Sequence, residues 1–587
     1  MHGYRNMKRS IFHRKGKVHP PYALLKRYVT RLFFLIPALL YFITACRSPG
    51  WVDATLIVSN VYNLRLGSWV NLHNLFQVLG YGWLRLLPLQ NIHYSLVLLS
   101  ASFGVATVYL MFLVGLEITS NIVASALGSL VLMISQSLWW HSTMLEVYTT
   151  NTAIMAAILL CIVRYNKNGR VTTLYIAAFL FGLGWSNHML MGLFLFAFLI
   201  LWCVLLFLWK AVALKHILLM ALCFFAGFQL FFVFFIQDYR AEFKHLQPLE
   251  SNQTVYEARL KALKSTIHSA TGGEFKHYMF QKDVPRDRKI FWRLNYPFLI
   301  FFNYPSAAFF LSIFGFYCFW RRKFYRLTLI FFMAGIIAQI IWSSNYWIWD
   351  MYAFSLPVYV LLSLPIILSI DYLMQRGKAA RLALLIMTPT FVAPLFIYGN
   401  MDDWNKKPGI VQNYFKNYPE IERVRNTWDA VEYCMEPNKF NYHKVAEYAQ
   451  RIFDTLPQGA YFWNSDDHSD YALTLYYRNI CNIRPDIHYH SIFSVLKTHE
   501  EVKGEALSLK SCIEFGLPVY IVTLEYPERL ILDQLYVLYR PDRTLDWVSN
   551  LSTDDLVREF HEVEFEKIVL FEQEQIFIYR IRKRESL

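Results

Sequence analysis

The chain has 587 residues, 56% hydrophobic and only 17% charged, against about 25% charged in soluble domains. Its net charge of +14 hides two opposite regions, since residues 1–399 carry 35 Lys/Arg and 12 Asp/Glu while residues 400–587 carry 22 and 31. This excludes a single cytosolic enzyme. The basic residues cluster between apolar runs, where they set membrane orientation, so no nucleic-acid partner is expected.

In chain order, residues 1–27 form a basic arm, MHGYRNMKRSIFHRKGKVHPPYALLKR. Apolar runs approaching the ~20 residues needed to cross a bilayer then fall at 28–46, 91–116, 119–138, 147–163, 172–186, 189–209, 217–236, 297–320, 327–343, 352–370 and 380–399. The expected body is therefore a polytopic α-helical membrane domain over 28–399 with about eleven spans. The first run follows a long basic arm and precedes no small-residue cleavage site, so it reads as an anchor rather than a signal peptide.

Alternate connections are basic: Arg164, Lys167 and Arg170; Lys210 and Lys215; Arg321, Arg322, Lys323 and Arg326; Arg376, Lys378 and Arg381. The connections WWHSTMLE, GWSNHML and SSNYWIWDMY contain no Lys or Arg. By the positive-inside bias, the N-terminus is cytoplasmic and the C-terminal domain extracytoplasmic, in a bacterial inner membrane or its equivalent.

Three segments are expected outside the bilayer on the far side. Loop 47–90 carries Trp51, Leu56, Leu64, Trp69, Leu72, Phe76, Leu79, Trp83 and Leu87 at helical spacing, a pattern for helices lying in the interface. Loop 238–296 is charged and broken at Gly272-Gly273. Residues 400–587 read as an α/β domain: LPVYIVTL, EKIVLFE and QIFIYRIR alternate as strands do, and KFNYHKVAEYAQRIFDTL and SDYALTLYYRN read as helices. Five of the eight cysteines fall in or beside spans, and Cys434, Cys481 and Cys512 show no metal-ligand spacing.

Ionisable residues near a membrane are costly and mark candidate sites. Outside loop 238–296, the acids of the first 399 residues are Asp53, Glu117, Glu146, Asp350 and Asp371. Glu117 and Asp371 fall at cytoplasmic span ends. Asp53, Glu146 and Asp350 gather on the outer face with His73, His141 and His188. Each also has a plainer reading. Asp53 suits a helix start; His141 and Glu146 suit an aromatic belt with Trp139 and Trp140; His188 and Asp350 suit span ends. Asp466, Asp467, His468 and Asp470 resemble a metal cluster but read better as a turn and helix cap. No phosphate-loop, dinucleotide or zinc signature occurs.

QSLWWHSTMLEVYTTNTAIMAAILLCIVRY followed by FGLGWSNHMLMG resembles glycosyltransferase family 117 of the GT-C class, whose animal members are protein O-mannosyltransferases. That family reads W-W-x-x-x-x-x-E-V-Y-x-x-N in one outer turn and G-x-x-x-x-N-H in the next, matched here by Glu146, Val147, Tyr148, Asn151, Asn187 and His188. The resemblance spans roughly residues 30–200, with WIWDMYAFSLPVY a weaker echo. The first loop departs from the pattern. Where many members carry G-D-S-G-E and then H-P-P-G-Y-P, this chain has V-D-A-T-L and LHNLFQVLGY, with Leu56 in place of the Glu.

The resemblance implies a polyprenyl-phosphate sugar as donor substrate, a protein or glycan acceptor, and membrane lipids as surroundings. It indicates no certain cofactor and leaves any divalent metal open. A general base and neutralisation of the leaving phosphate are needed. Asp53 suits the base, with Glu146 as the second catalytic carboxylate. Arg47, Arg65, His73, His141, Asn187, His188 and Asp350 are the expected substrate-binding set. A transporter or flippase would be expected to show inverted repeats and mid-span charges, and a scaffold would need far fewer spans.

Overall fold

The computed structural model describes residues 28–51, 53–69, 72–188, 212–246, 254–273, 276, 286–322, 326–346, 351–407, 409, 430–464, 471–491, 499–522, 528–571 and 576–584. The basic arm, the expected span 189–209 and the acidic run 466–470 lie outside these residues.

Five helices are long and apolar enough to cross a bilayer: Ile92–Thr119, Tyr148–Asn168, Leu214–His245, Ala353–Met374 and Lys378–Tyr398. Two bent pairs raise the number to as many as seven among the described residues: Ile122–Met133 with Gln136–Thr143, at 65°, and Tyr296–Asn303 with Ala307–Arg321, at 109°. The apolar windows 119–138 and 297–320 ran straight across these bends. Hydropathy sums side chains and does not register that the helix stops, at Ser135 in one case and before Pro305 in the other. Helix Thr172–Asn187 has 16 residues, about 24 Å of rise, short of the ~30 Å hydrocarbon thickness. Tyr28–Ile43 and Phe332–Ser343 are shorter apolar helices at two other expected spans.

Burial separates the centre of the bundle from its rim. The apolar window of Ala353–Met374 is 94% buried by its neighbours, that of Leu214–His245 only 6%. The central helix is reached closely because a Cβ at Gly315 would overlap the backbone of Pro365, and one at Gly128 would overlap Ile367. Gly182 and Gly227 likewise let Thr172–Asn187 and Leu214–His245 touch backbone to backbone, the small-residue packing common between membrane helices. Caps mark the helix starts: Asn91 accepts from the Tyr94 N–H and Asn121 from those of Val123 and Ala124.

The first loop folds into helices Asp53–Tyr62 and Asn74–Leu86. Its apolar spacing serves the protein core more than the interface, because Trp51, Leu72 and Phe76 are buried against protein while Leu86 is exposed. The expected loop 238–296 begins later than its sequence suggests. Helix Leu214–His245 runs on through Asp238, which accepts hydrogen bonds from the Ser68 N–H at 2.5 Å and the Ser68 hydroxyl at 2.7 Å and so ties the first loop to this helix.

Beyond residue 430 a five-stranded sheet appears: β1 (Tyr461–Asn464), β2 (His488–Ser491), β3 (Val519–Val522), β4 (Val563–Phe571) and β5 (Ile576–Lys583). Their order is β2-β1-β3-β5-β4, with β1 parallel to β2 and β3, and β5 antiparallel to β3 and β4. The sheet does not stand apart from the bundle. One continuous apolar core joins Cys46, Trp51, Trp140, Met144 and Leu299 to Tyr433, Val445, Tyr448, Ile452, Phe462 and Ile578. Backbone and side-chain bonds cross the same seam: Trp140 Nε1 donates to Tyr433 O at 2.6 Å, Gln136 Nε2 to Cys434 O at 2.9 Å, and the Lys439 N–H to Thr44 O at 2.9 Å.

Candidate functional site

Three chain segments meet at one end of the bundle. The first turns at His73, whose φ of 49° and ψ of 52° place it in the left-handed region just before helix Asn74–Leu86, where His is commoner than most residues. The turn sets His73 Nδ1 2.9 Å from the carbonyl oxygen of Asn187. A carbonyl only accepts, so Nδ1 carries the proton and Nε2 keeps its lone pair. The second segment ends helix Thr172–Asn187 with His188. The two imidazoles stack with centroids 5.0 Å apart and planes 15° from parallel.

The third segment is the turn into helix Tyr148–Asn168. The Tyr148 ring lies 5.3 Å from His188 and 5.4 Å from His141, and 6.1 Å from Phe354 of the central helix. Phe354 is itself 6.1 Å from His188 and carries Trp342 and Tyr346 against it. His141 is fully buried, with Nδ1 2.6 Å from Ser137 O. It joins the cluster from behind, through its ring.

Asn187 holds the segments together. It is 2% exposed. Its Nδ2 donates to Asn151 Oδ1 at 2.8 Å and Val147 O at 3.3 Å, and its Oδ1 accepts from the Phe76 N–H at 3.0 Å. The motif residues 147, 151, 187 and the first loop are thereby one hydrogen-bonded unit. Removing one partner strands the others in a buried place, at about 1–3 kcal/mol. Asn187→Leu should therefore lower thermal stability and transfer together, whereas a residue that only contacted ligand would leave melting unchanged.

Asp53 stands in the first turn of helix Asp53–Tyr62. Its charge acts on His73, opposing the burial that holds the His73 ring below its ordinary value. Burial pushes His188 well below that value too, and the His73 ring adds to the effect. Asp53 and Glu146 also both act on Tyr433, whose phenol is raised well above its usual range by burial first and by Glu146 next. Tyr433 is the residue that sequence reasoning missed. Its OH lies 3.3 Å from Trp51 O across 382 positions of sequence, a contact with no local signature.

The remaining expected residues are more dispersed. Arg47 is exposed, its guanidinium 4.5 Å above the Phe440 ring and 5.8 Å from that of Tyr94. Arg65 is exposed, its N–H on Asn60 O, outside the cluster's contacts. Asp350 lies outside the described residues. Among the described residues no three His, Cys, Asp or Glu side chains gather as a metal set.

Because His73 and His188 are held neutral by the fold, the unfolded chain binds more protons than the native one below the ordinary histidine value of about 6.5. Their share of stability is complete above that pH and is lost as pH falls through it. Detergent-solubilised protein should melt lower at pH 5.5 than at 7.5, and His188→Gln should flatten the difference. Equal pH dependence in both proteins would refute the assignment.

Residues 73–213 match the family model described as the N-terminal domain of the protein O-mannosyl-transferase TMEM260. No curated protein matches the chain in sequence. In fold the chain is similar to ArnT from Cupriavidus metallidurans bound to undecaprenyl phosphate, with TM-score 0.56 and 11% identity over 96% of this chain and 98% of that one. The apo state of the same protein gives TM-score 0.55 and 11% identity over 95% and 98%. The W-W…E-V-Y…N-H motifs lie inside the segment that this family model matches, and the chain is a polytopic integral membrane protein with a fold similar to that of ArnT.

Proposed function

We propose that the chain is a glycosyltransferase that moves a sugar from a polyprenyl phosphate to an acceptor hydroxyl at the extracytoplasmic face. One observation carries the reading. Asp53, His73, Tyr148 and the Asn187–His188 pair converge at one end of the bundle, and most of that cluster lies inside the segment matched by an O-mannosyl-transferase model. The similar fold that holds undecaprenyl phosphate supports a lipid phosphate as the donor's carrier.

In this mechanism Asp53 takes the proton of the acceptor hydroxyl as its oxygen bonds to the anomeric carbon. The bond from that carbon to the phosphate oxygen breaks, and polyprenyl phosphate leaves. His73 Nε2, His188 and the exposed guanidinium of Arg47 meet the phosphate, and Glu146 positions a hydroxyl beside Tyr433. His141 and Asn187, buried and engaged with protein, hold the others in place. The family description favours mannose and a protein hydroxyl. Membranes containing the chain, supplied with polyprenyl-phosphate mannose or glucose, should transfer label to protein. Lipid binding without any turnover would favour the transporter reading instead.

Orientation belongs to the same proposal. Glu117 pairs with Arg164 at 3.1 Å and Lys167 at 2.7 Å, and Asp371 pairs with Arg322, so these basic connections share the end opposite the site. In a chain with the exposed Cys481 replaced by Ser, Glu500→Cys should label from outside and Asn168→Cys only from the cytoplasm. Labelling of both from one side would overturn the topology.

A further inference from the structure

Helix Val255–Ala270 follows the long apolar helix Leu214–His245 and packs against it. The 32 residues of the latter rise about 48 Å, well beyond a ~30 Å hydrocarbon layer. Its last turns therefore protrude, and Val255–Ala270 lies against them, with Arg259 5.6 Å from the Phe243 ring.

Three faces follow from the 100° step between residues. Ala258, Ala262, Thr266 and Ala270 are buried and form the packing face. Next to it Tyr256, Leu260, Leu263 and Ile267 are 74%, 38%, 38% and 44% exposed. Beyond them come Lys261, Lys264 and His268, which with Glu257, Leu260 and Ser265 line an open groove of about 470 Å³. A stripe of four large apolar side chains facing outward beside two lysines is the arrangement of a helix that lies in a membrane interface. The helix begins at a firm stop, a reciprocal capping box between Thr254 and Glu257.

We infer that Val255–Ala270 docks on the bilayer surface around the protein, with Tyr256, Leu260, Leu263 and Ile267 among the acyl chains and Lys261, Lys264 and His268 on anionic phospholipid phosphates. The occupant follows from the two lysines of the groove and from the neighbouring helix, whose apolar window is only 6% buried by protein. Docking is independent of the transfer chemistry, so it stands or falls without the proposed function.

The test uses the full chain in lipid nanodiscs, with Leu263→Cys carrying an environment-sensitive fluorophore and Cys481 replaced by Ser. In discs containing phosphatidylglycerol the label should emit blue-shifted light, be quenched by shallow doxyl lipids and be shielded from aqueous iodide. Each basic residue near an anionic surface contributes roughly fivefold to partitioning. Lys261→Gln/Lys264→Gln should thus weaken docking by roughly 25-fold in those discs and change little in pure phosphatidylcholine. Iodide quenching that ignores lipid composition and both substitutions would overturn the inference. So would shielding that appears only when a second copy or an acceptor polypeptide is added.

Discussion

Asp53→Asn should lower transfer by roughly 10²–10⁴, the usual contribution of a general base, with donor binding and melting nearly unchanged. The substitution keeps the side chain's shape and its place in the first turn of Asp53–Tyr62 but removes the basic oxygen. If Asp53 serves only the helix, Asn fills its place about as well, and melting and activity per folded molecule both persist. The two roles therefore separate on the initial rate of transfer, with melting temperature and binding of a polyprenyl phosphate expected to hold in either case. A base is needed in the chemical step and not for the ground-state phosphate, so kcat should fall while the lipid's affinity holds. Retention of most activity would remove Asp53 from the mechanism. The search would then move to Glu146, the other carboxylate that acts on Tyr433.

The part of this site that lies close in sequence is the part the sequence reveals. Tyr148 and Asn151 stand three apart at the start of one helix, Glu146 just precedes it, and Asn187 and His188 adjoin at another helix end, so their spacing alone places them close together. His73 could be placed on the same side because it follows the first span in an outer loop. Tyr433 and Phe440 could not, because they arrive from the C-terminal region through contacts that no local pattern encodes.

The same distinction holds for the sheet. Strand β3 falls within the run LPVYIVTL, and β4 and β5 overlap EKIVLFE and QIFIYRIR, β4 starting earlier and β5 ending one residue later. The four-residue strands β1 and β2, YFWN and HYHS, are too short to show an alternation and depend on pairing with each other and with β3. Apolar runs likewise revealed membrane helices but not the bends near Ser135 and Pro305, which are backbone events inside continuous hydropathy.

The largest stability effect should come from the opposite end of the bundle. Asp371 is completely buried. It pairs with Arg322 and accepts from Asn121 Nδ2 at 2.9 Å and Gln375 Nε2 at 2.8 Å. Arg322 also donates to Ile118 O at 3.0 Å, so one guanidinium closes the ends of Ile92–Thr119 and the central helix. Removing one member of a buried pair leaves an uncompensated charge and costs about 3–5 kcal/mol, whereas replacing both can be nearly neutral. Arg322 keeps 27% of its side chain exposed, which puts Arg322→Leu near the lower end of that range. Arg322→Leu should therefore lower the melting temperature clearly, and Arg322→Leu/Asp371→Asn should recover much of the loss. Phe354 of the cluster and Asp371 of this network stand 17 residues apart on the central helix, which puts about 25 Å between them. Transfer per folded molecule should accordingly stay at the wild-type level in both variants. A double variant no more stable than Arg322→Leu alone would show that the arginine acts through Ile118 and packing rather than through the carboxylate.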